Sequence, residues 1–167
     1  ELITDEFVAV FELVKNSFDA NANKVKIVFE NQYNPQAARI IIMDDGYGMN
    51  ADDLHNKWLF VEHSEKRDGT EGNDYRETIV HRRIFAGAKG VGRFSCDRLG
   101  KYLNIITIKD ESNSKIEQLS VDWTSFEEDS NKEFMDISVS HQTLFGTNYP
   151  NFEHGTILEI SGLRDVW

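Results

Sequence analysis

Residues 12–20 read Glu12-Leu13-Val14-Lys15-Asn16-Ser17-Phe18-Asp19-Ala20. Glu12, Asn16 and Asp19 stand at i, i+4 and i+7, which on an α-helix places them on one stripe about 60° wide. Phe7, Val8, Phe11, Leu13, Val14 and Phe18 surround that stripe. The helix, expected over residues 4–22, is therefore apolar round most of its circumference, and such a helix is normally buried. A buried helix with two carboxylates and an amide along one stripe needs a polar counterpart, either an internal hydrogen-bond network or a ligand.

Two glycine-rich turns favour the ligand. The first closes Ile40-Ile41-Ile42-Met43-Asp44-Asp45-Gly46-Tyr47-Gly48-Met49. The apolar run reads as a sheet strand covered on both faces, and it delivers Asp44 to the strand's end, where loops carry function on a rigid support. Gly46 and Gly48, without Cβ atoms, are expected to let backbone approach a flat ligand. The second turn is Gly87-Ala88-Lys89-Gly90-Val91-Gly92-Arg93-Phe94-Ser95. Its three glycines, interleaved with Lys89 and Arg93, suit a loop whose N–H groups wrap an anion.

In that order, Glu12-x-x-x-Asn16-x-x-Asp19-Ala20, Asp44-x-Gly46-x-Gly48 and Gly87-x-x-Gly90-x-Gly92 resemble the GHKL ATPase superfamily. Its members include gyrase B, the ninety-kilodalton heat-shock chaperone, sensor histidine kinases, MutL and the MORC proteins. Gly155-Thr156-Ile157-Leu158-Glu159-Ile160 is similar to the family's late Gly-Thr strand, so the resemblance runs from about residue 5 to about residue 162.

The resemblance implies ATP and Mg²⁺ as cofactors and assigns roles. Glu12 would be the general base that activates water, a task a carboxylate performs without needing a metal. Asn16 would bind Mg²⁺ through its carbonyl oxygen, as befits a hard cation that keeps most of its waters. Asp44 would accept a hydrogen bond from the adenine amino group, Met49 would pack on the base, and Thr156 would support the adenine end. The backbone of Gly90, Val91 and Gly92, with Lys89, Arg93 and Phe94 around it, would cradle the phosphates, and Asp19 would support the pocket. The implied fold is an α+β two-layer sandwich (the Bergerat fold), with helices on one face of a mixed, mainly antiparallel sheet.

Other nucleotide signatures are absent. No Gly-x-x-x-x-Gly-Lys-Ser/Thr string occurs, and the position after Gly90-Val91-Gly92 that a dinucleotide fingerprint reserves for glycine is Ser95. The eukaryotic kinase set is missing too. Trp58-Leu59-Phe60-Val61-Glu62-His63-Ser64-Glu65-Lys66 resembles the Ser-x-Lys lid region of MORC-like and chaperone-like members, which points to that branch. Lys66 or Lys89 would then reach the γ-phosphate, which in many members a lysine from a following domain does.

Composition fits one globular domain over residues 1–167, excised from a longer protein: 40% of residues are apolar and eleven are phenylalanine. No apolar run approaches a membrane span and no signal-peptide pattern is present. Cys96 stands alone, so no internal disulfide forms and a reducing, cytoplasmic setting fits. The net charge of −11 argues against direct nucleic-acid binding by this domain. Yet residues 81–101 are almost all basic in their charges (Arg82, Arg83, Lys89, Arg93, Arg98 and Lys101 against Asp97), which a polyphosphate site requires. No histidine stands at metal-ligand spacing from a cysteine or an acid, so zinc is not expected.

Alternation predicts a half-buried strand over 24–30, with Val25, Ile27 and Phe29 inward, paired as an antiparallel hairpin with 39–44. Asn50 caps a helix over 51–60, and residues 62–86 form an irregular segment, the ATP lid of the resembled family. A short helix over 94–99 precedes strands near 101–109, 115–122, 134–139 and 155–161. Retention of Glu12 favours an ATP-hydrolysing switch of a larger protein, with nucleotide-dependent homodimerisation, over a non-hydrolysing ATP sensor or a histidine-kinase-like phosphotransfer domain.

Overall fold

The computed structural model describes residues 5–56, 93–124 and 138–167. Helix α1 spans Glu6–Asp19. It starts two residues later than its periodicity suggests because Asp5 is the cap: its carboxylate accepts from Phe7 N at 2.8 Å and Val8 N at 3.4 Å, two of the donors a helix start leaves free. Strands β1 (Val25–Glu30) and β2 (Arg39–Asp44) follow as the expected antiparallel hairpin, Val25 opposite Asp44. Asn50 begins α2 (Ala51–Leu54) with a reciprocal capping box to Asp53; the rest of the helix expected to residue 60 lies outside the described residues. Helix α3 (Arg93–Leu99) leads directly into β3 (Gly100–Ile108), and β4 (Ile116–Asp122), β5 (Ser138–Leu144) and β6 (Gly155–Leu163) complete the chain. Of the strand expected over 134–139, residues 134–137 lie outside the described residues; β5 (Ser138–Leu144) runs past the expected end because its pairing with β4 continues to Leu144.

The six strands form one sheet in the order β1-β2-β6-β3-β4-β5. Every pairing among the described strands is antiparallel, in keeping with the mainly antiparallel sheet expected. The last strand in sequence sits in the middle, and β2 and β3, both antiparallel to it, are joined by the crossover that carries α2 and α3. The helices lie on one face, over Ile40, Ile42, Leu103, Ile105, Leu119, Val121 and Ile160. The fold is thus an α+β sandwich.

Helix α1 departs from the fully buried helix expected. Only Ala9, Leu13 and Ser17 are buried, a narrow i, i+4, i+8 stripe against the sheet, whereas Phe7, Phe11 and Phe18 are 68%, 67% and 78% exposed. One helix on one sheet covers one face, whatever lies round the rest of the circumference. Likewise Ile27, on the edge strand, remains exposed, while Val25 and Phe29 pack on the core as expected. Cys96 is fully buried, and burial pushes its thiol pKa up, so it acts as a small core side chain.

Candidate functional site

The core face of the sheet is built in rows, because side chains alternate along each strand and pair across it. One row is Ile40, Ile160, Leu103, Val121 and Val139; the next is Ile42, Leu158, Ile105, Leu119 and His141. At the end of the sheet the third row turns polar: Asp44, Thr156, Thr107, Glu117 and Thr143 on β2, β6, β3, β4 and β5 in that order. Within it, Glu117 is buried and accepts from Thr143 Oγ1 at 2.9 Å, with His141 Nε2 at 2.6 Å. The Asp44 end of the row meets α1 and the loop that follows β2.

Asp44 is 9% exposed. Its Oδ1 accepts from Gly46 N at 2.9 Å and Thr156 N at 3.2 Å, and its Oδ2 from Ser17 Oγ at 2.9 Å. No cation is among these partners. Desolvation raises its pKa above the ordinary 3.8, and the three donors only partly oppose that shift. A carboxylate accepts about four hydrogen bonds, so Oδ2 retains room for one more donor. A fully buried hydroxyl, Thr107, links the next two strands: Oγ1 donates to Gly155 O at 2.9 Å, accepts from Met49 N at 2.9 Å, and lies 3.2 Å from Thr156 Oγ1.

The loop after Asp44 is tied down residue by residue. Asp45 Oδ1 accepts from Asn23 N at 2.7 Å and Lys24 N at 2.8 Å; the Lys24 N–H foremost, with that of Asn23, holds its pKa below the ordinary carboxylate value. His154 Nδ1 lies 2.8 Å from Gly46 O, Tyr47 N donates to Ala20 O at 2.9 Å, and Tyr47 O accepts from Asp110 N at 2.7 Å. The two glycines of this loop sit close against protein backbone. A Cβ on Gly46 would lie 2.6 Å from Ala20 O, and one on Gly48, at φ +63°, would lie 1.9 Å from Ile108 O. Without Cβ atoms they let the loop pack against the end of α1 and against β3.

The other anticipated residues divide into two groups. Glu12 and Asn16 are half-buried and Asp19 is exposed, on the flank of α1 beside the buried stripe. Ser17 and Ala20, which touch the Asp44 loop, are their chain neighbours, so the helix brings this flank to the polar end of the sheet. Among the described residues no hydrogen bond engages the side-chain amide of Asn16. Met49 is half-buried and packs against the core cluster, with its amide on Thr107. The second group is not placed: Lys66, Lys89, Gly90, Val91, Gly92 and the 62–86 segment lie outside the described residues, as do the side chains of Arg93 and Phe94, whose backbone opens α3.

Three site residues carried no sequence signal that was read: Ser17, Thr107 and His154. Ser17 was the legible one, because its spacing from Ala9 and Leu13 puts a hydroxyl on the apolar stripe. Thr107, inside Ile105-Ile106-Thr107-Ile108, looks like any β-branched strand residue.

This arrangement of a buried, uncompensated carboxylate, a threonine pair and a helix flank bearing a carboxylate and an amide can be set against known proteins. A 99-residue stretch is 29% identical to "Putative type II restriction enzyme HgiDII" of Herpetosiphon aurantiacus, covering 59% of this chain but 14% of that protein. Over residues 4–156 the chain matches the family model described as histidine kinase-, DNA gyrase B- and HSP90-like ATPase. With nearly its whole length matched, the chain belongs to the histidine kinase-, DNA gyrase B- and HSP90-like ATPase family.

Proposed function

We propose that the polar end of the sheet binds Mg²⁺-ATP and that the chain hydrolyses it slowly, as the ATPase switch of a larger protein. The observation that carries this reading is Asp44. Among the described residues its buried carboxylate has three donors, no cation and one acceptor position open on Oδ2, which fits the exocyclic amino group of adenine. Thr156 and Met49 are tied to the same network and would support the base. Asn16 and Glu12, four residues apart on one flank, fit the phosphate end. Asn16 would offer its carbonyl oxygen to Mg²⁺, whose charge offsets that of the phosphates when bound. Glu12 would take the proton of the attacking water. Lys89, Gly90, Val91, Gly92, Arg93 and Phe94 would hold the phosphate oxygens, Lys66 would come from the 62–86 lid, and Asp19 would brace the helix end. Nucleotide-dependent pairing of two copies belongs to the same proposal, and the long relative supports a domain that works inside a larger chain.

Removal of the base separates hydrolysis from binding. In the full-length protein, Glu12→Ala should hydrolyse ATP at least about a hundredfold more slowly, the usual contribution of a positioned base, while equilibrium titration shows near-normal Mg²⁺-ATP affinity. Undiminished turnover would remove Glu12 from the chemistry. Tight binding without turnover in the wild type would favour the sensor instead.

A further inference from the structure

We propose that Thr107, which does not reach the pocket itself, sets the base selectivity by fixing the direction of the Thr156 hydroxyl. The inference rests on the ATP reading above and comes from counting protons. A threonine hydroxyl has one proton to give and accepts two. Thr107 Oγ1 gives its proton to Gly155 O at 2.9 Å and accepts the Met49 N–H at 2.9 Å. One acceptor position is left on it, and Thr156 Oγ1 lies 3.2 Å away. With the Thr107 proton already used, Thr156 is the donor of that contact. The Thr156 hydroxyl therefore points its proton away from the ligand and turns only lone pairs toward the half-open side of the residue.

The neighbour across the strand pair has the same polarity. Asp44 stands opposite Thr156 in the sheet, and Thr156 opposite Thr107. The adenine edge therefore meets two acceptors side by side, a carboxylate and a lone-pair-first hydroxyl, with no donor between them. An exocyclic amino group satisfies both. The carbonyl oxygen that replaces it in hypoxanthine faces two acceptors, and the mismatch leaves buried groups unpaired, the type of error that binding sites reject most strongly. Thr107 is a positioning residue in this scheme, fully buried, and its substitution acts through the freed rotation of Thr156.

The test is titration of ATP and of inosine triphosphate against the wild type, Thr107→Val, Thr107→Ser and Thr156→Val, with folding checked by circular dichroism. Thr107→Val should lower the ratio of ATP to inosine triphosphate affinity at least about fivefold, since the Thr156 hydroxyl can then turn and donate. Thr107→Ser, which keeps the hydroxyl, should restore the wild-type ratio, a rescue that a merely structural role for the residue does not give. An unchanged ratio in folded Thr107→Val overturns the proposal. Should that variant not fold, Thr156→Val decides: loss of ATP affinity with inosine triphosphate affinity unchanged or tighter supports an acceptor hydroxyl, and equal loss for both overturns it. A wild type that binds no ATP fails the nucleotide reading itself, a result distinct from all of these.

Discussion

Asp44 contributes differently to the empty and the loaded protein. Burial raises its pKa, so the folded state holds this proton more tightly than the unfolded chain does. Its contribution to stability is fully present below the ordinary value of 3.8 and is lost as pH rises through the raised folded value. If Asp44 accepts from adenine as proposed, the ionised carboxylate is the stronger acceptor, so stabilisation by ATP should grow as pH rises above 3.8. Thermal melts with and without ATP over a pH series should show this. Asp44→Asn should remove Asp44's share of the pH dependence and weaken ATP binding at least about tenfold, through loss of a charged acceptor worth roughly 1.5–3 kcal/mol. Asp44 and the Glu12–Asn16 pair stand out in the sequence because each is polar within an apolar pattern, and Thr156 does so through its likeness to the family's Gly-Thr strand. Thr107 is not, because a hydroxyl in a strand declares its partner only when the register is known.

Among the elements, α1 tests the difference between an apolar residue and a buried one. Leu13 is 1% exposed and Phe18 78%, although both occupy the same apolar background in the sequence. Leu13→Ala should cost about 2–5 kcal/mol in denaturant unfolding, while Phe18→Gln should stay within about 0.5 kcal/mol. The three-faced helix was unreadable because periodicity shows which residues are apolar but not how many neighbours are available to cover them. The bounds of β2, in contrast, were readable, since Arg39–Asp44 coincides with the strand expected from its apolar run. The turn into β6 offers a second contrast. Gly155, at φ +117°, would bring a Cβ to 2.0 Å from Asp44 O, whereas a Cβ on Gly146 meets nothing within 4 Å. Gly155→Ala should destabilise by at least about 2 kcal/mol and Gly146→Ala by less than about 0.5 kcal/mol, both read from urea midpoints.

For the whole molecule, the Asp44 end of the polar row gathers groups from positions far apart in the chain: Asp44, Thr107 and Thr156, with Ser17 of α1 bonded to Asp44. A ligand seated there bridges both sides of the sheet and α1 together, so its binding energy adds to global stability. At a hundred times its dissociation constant, ATP should add about 2.7 kcal/mol. Hydrogen exchange should register this as slowed exchange at Gly46, Met49 and Thr156 alike, and equally in β1 and β4, which the ligand does not touch. Protection confined to the loop after Asp44 would show that the sheet opens in separate pieces. Further tethers close the far end, where Arg98 pairs with Glu6 at 3.1 Å and with Asp165 at 2.6 Å. Such long-range pairs are invisible to sequence reading, because no local pattern announces a partner 92 residues away.

The position of β6 also sets a timetable. Ribosomes deliver the chain from its amino end, so β1 and β2 emerge first as a hairpin, and β3, β4 and β5 emerge later as a meander. Neither group borders the other: the strand that joins them, Gly155–Leu163, is made last and fits between both. Until it emerges, the nascent chain carries two open sheet edges, at β2 and β3, and Asp44 lacks the Thr156 amide that helps to hold it. On the proposed reading nucleotide does not assist the early chain, because the Asp44–Thr156 site is completed in the same step that closes the sheet. On that reading an unfinished copy is both unable to bind ATP and open to wrong pairing, and the two conditions end together.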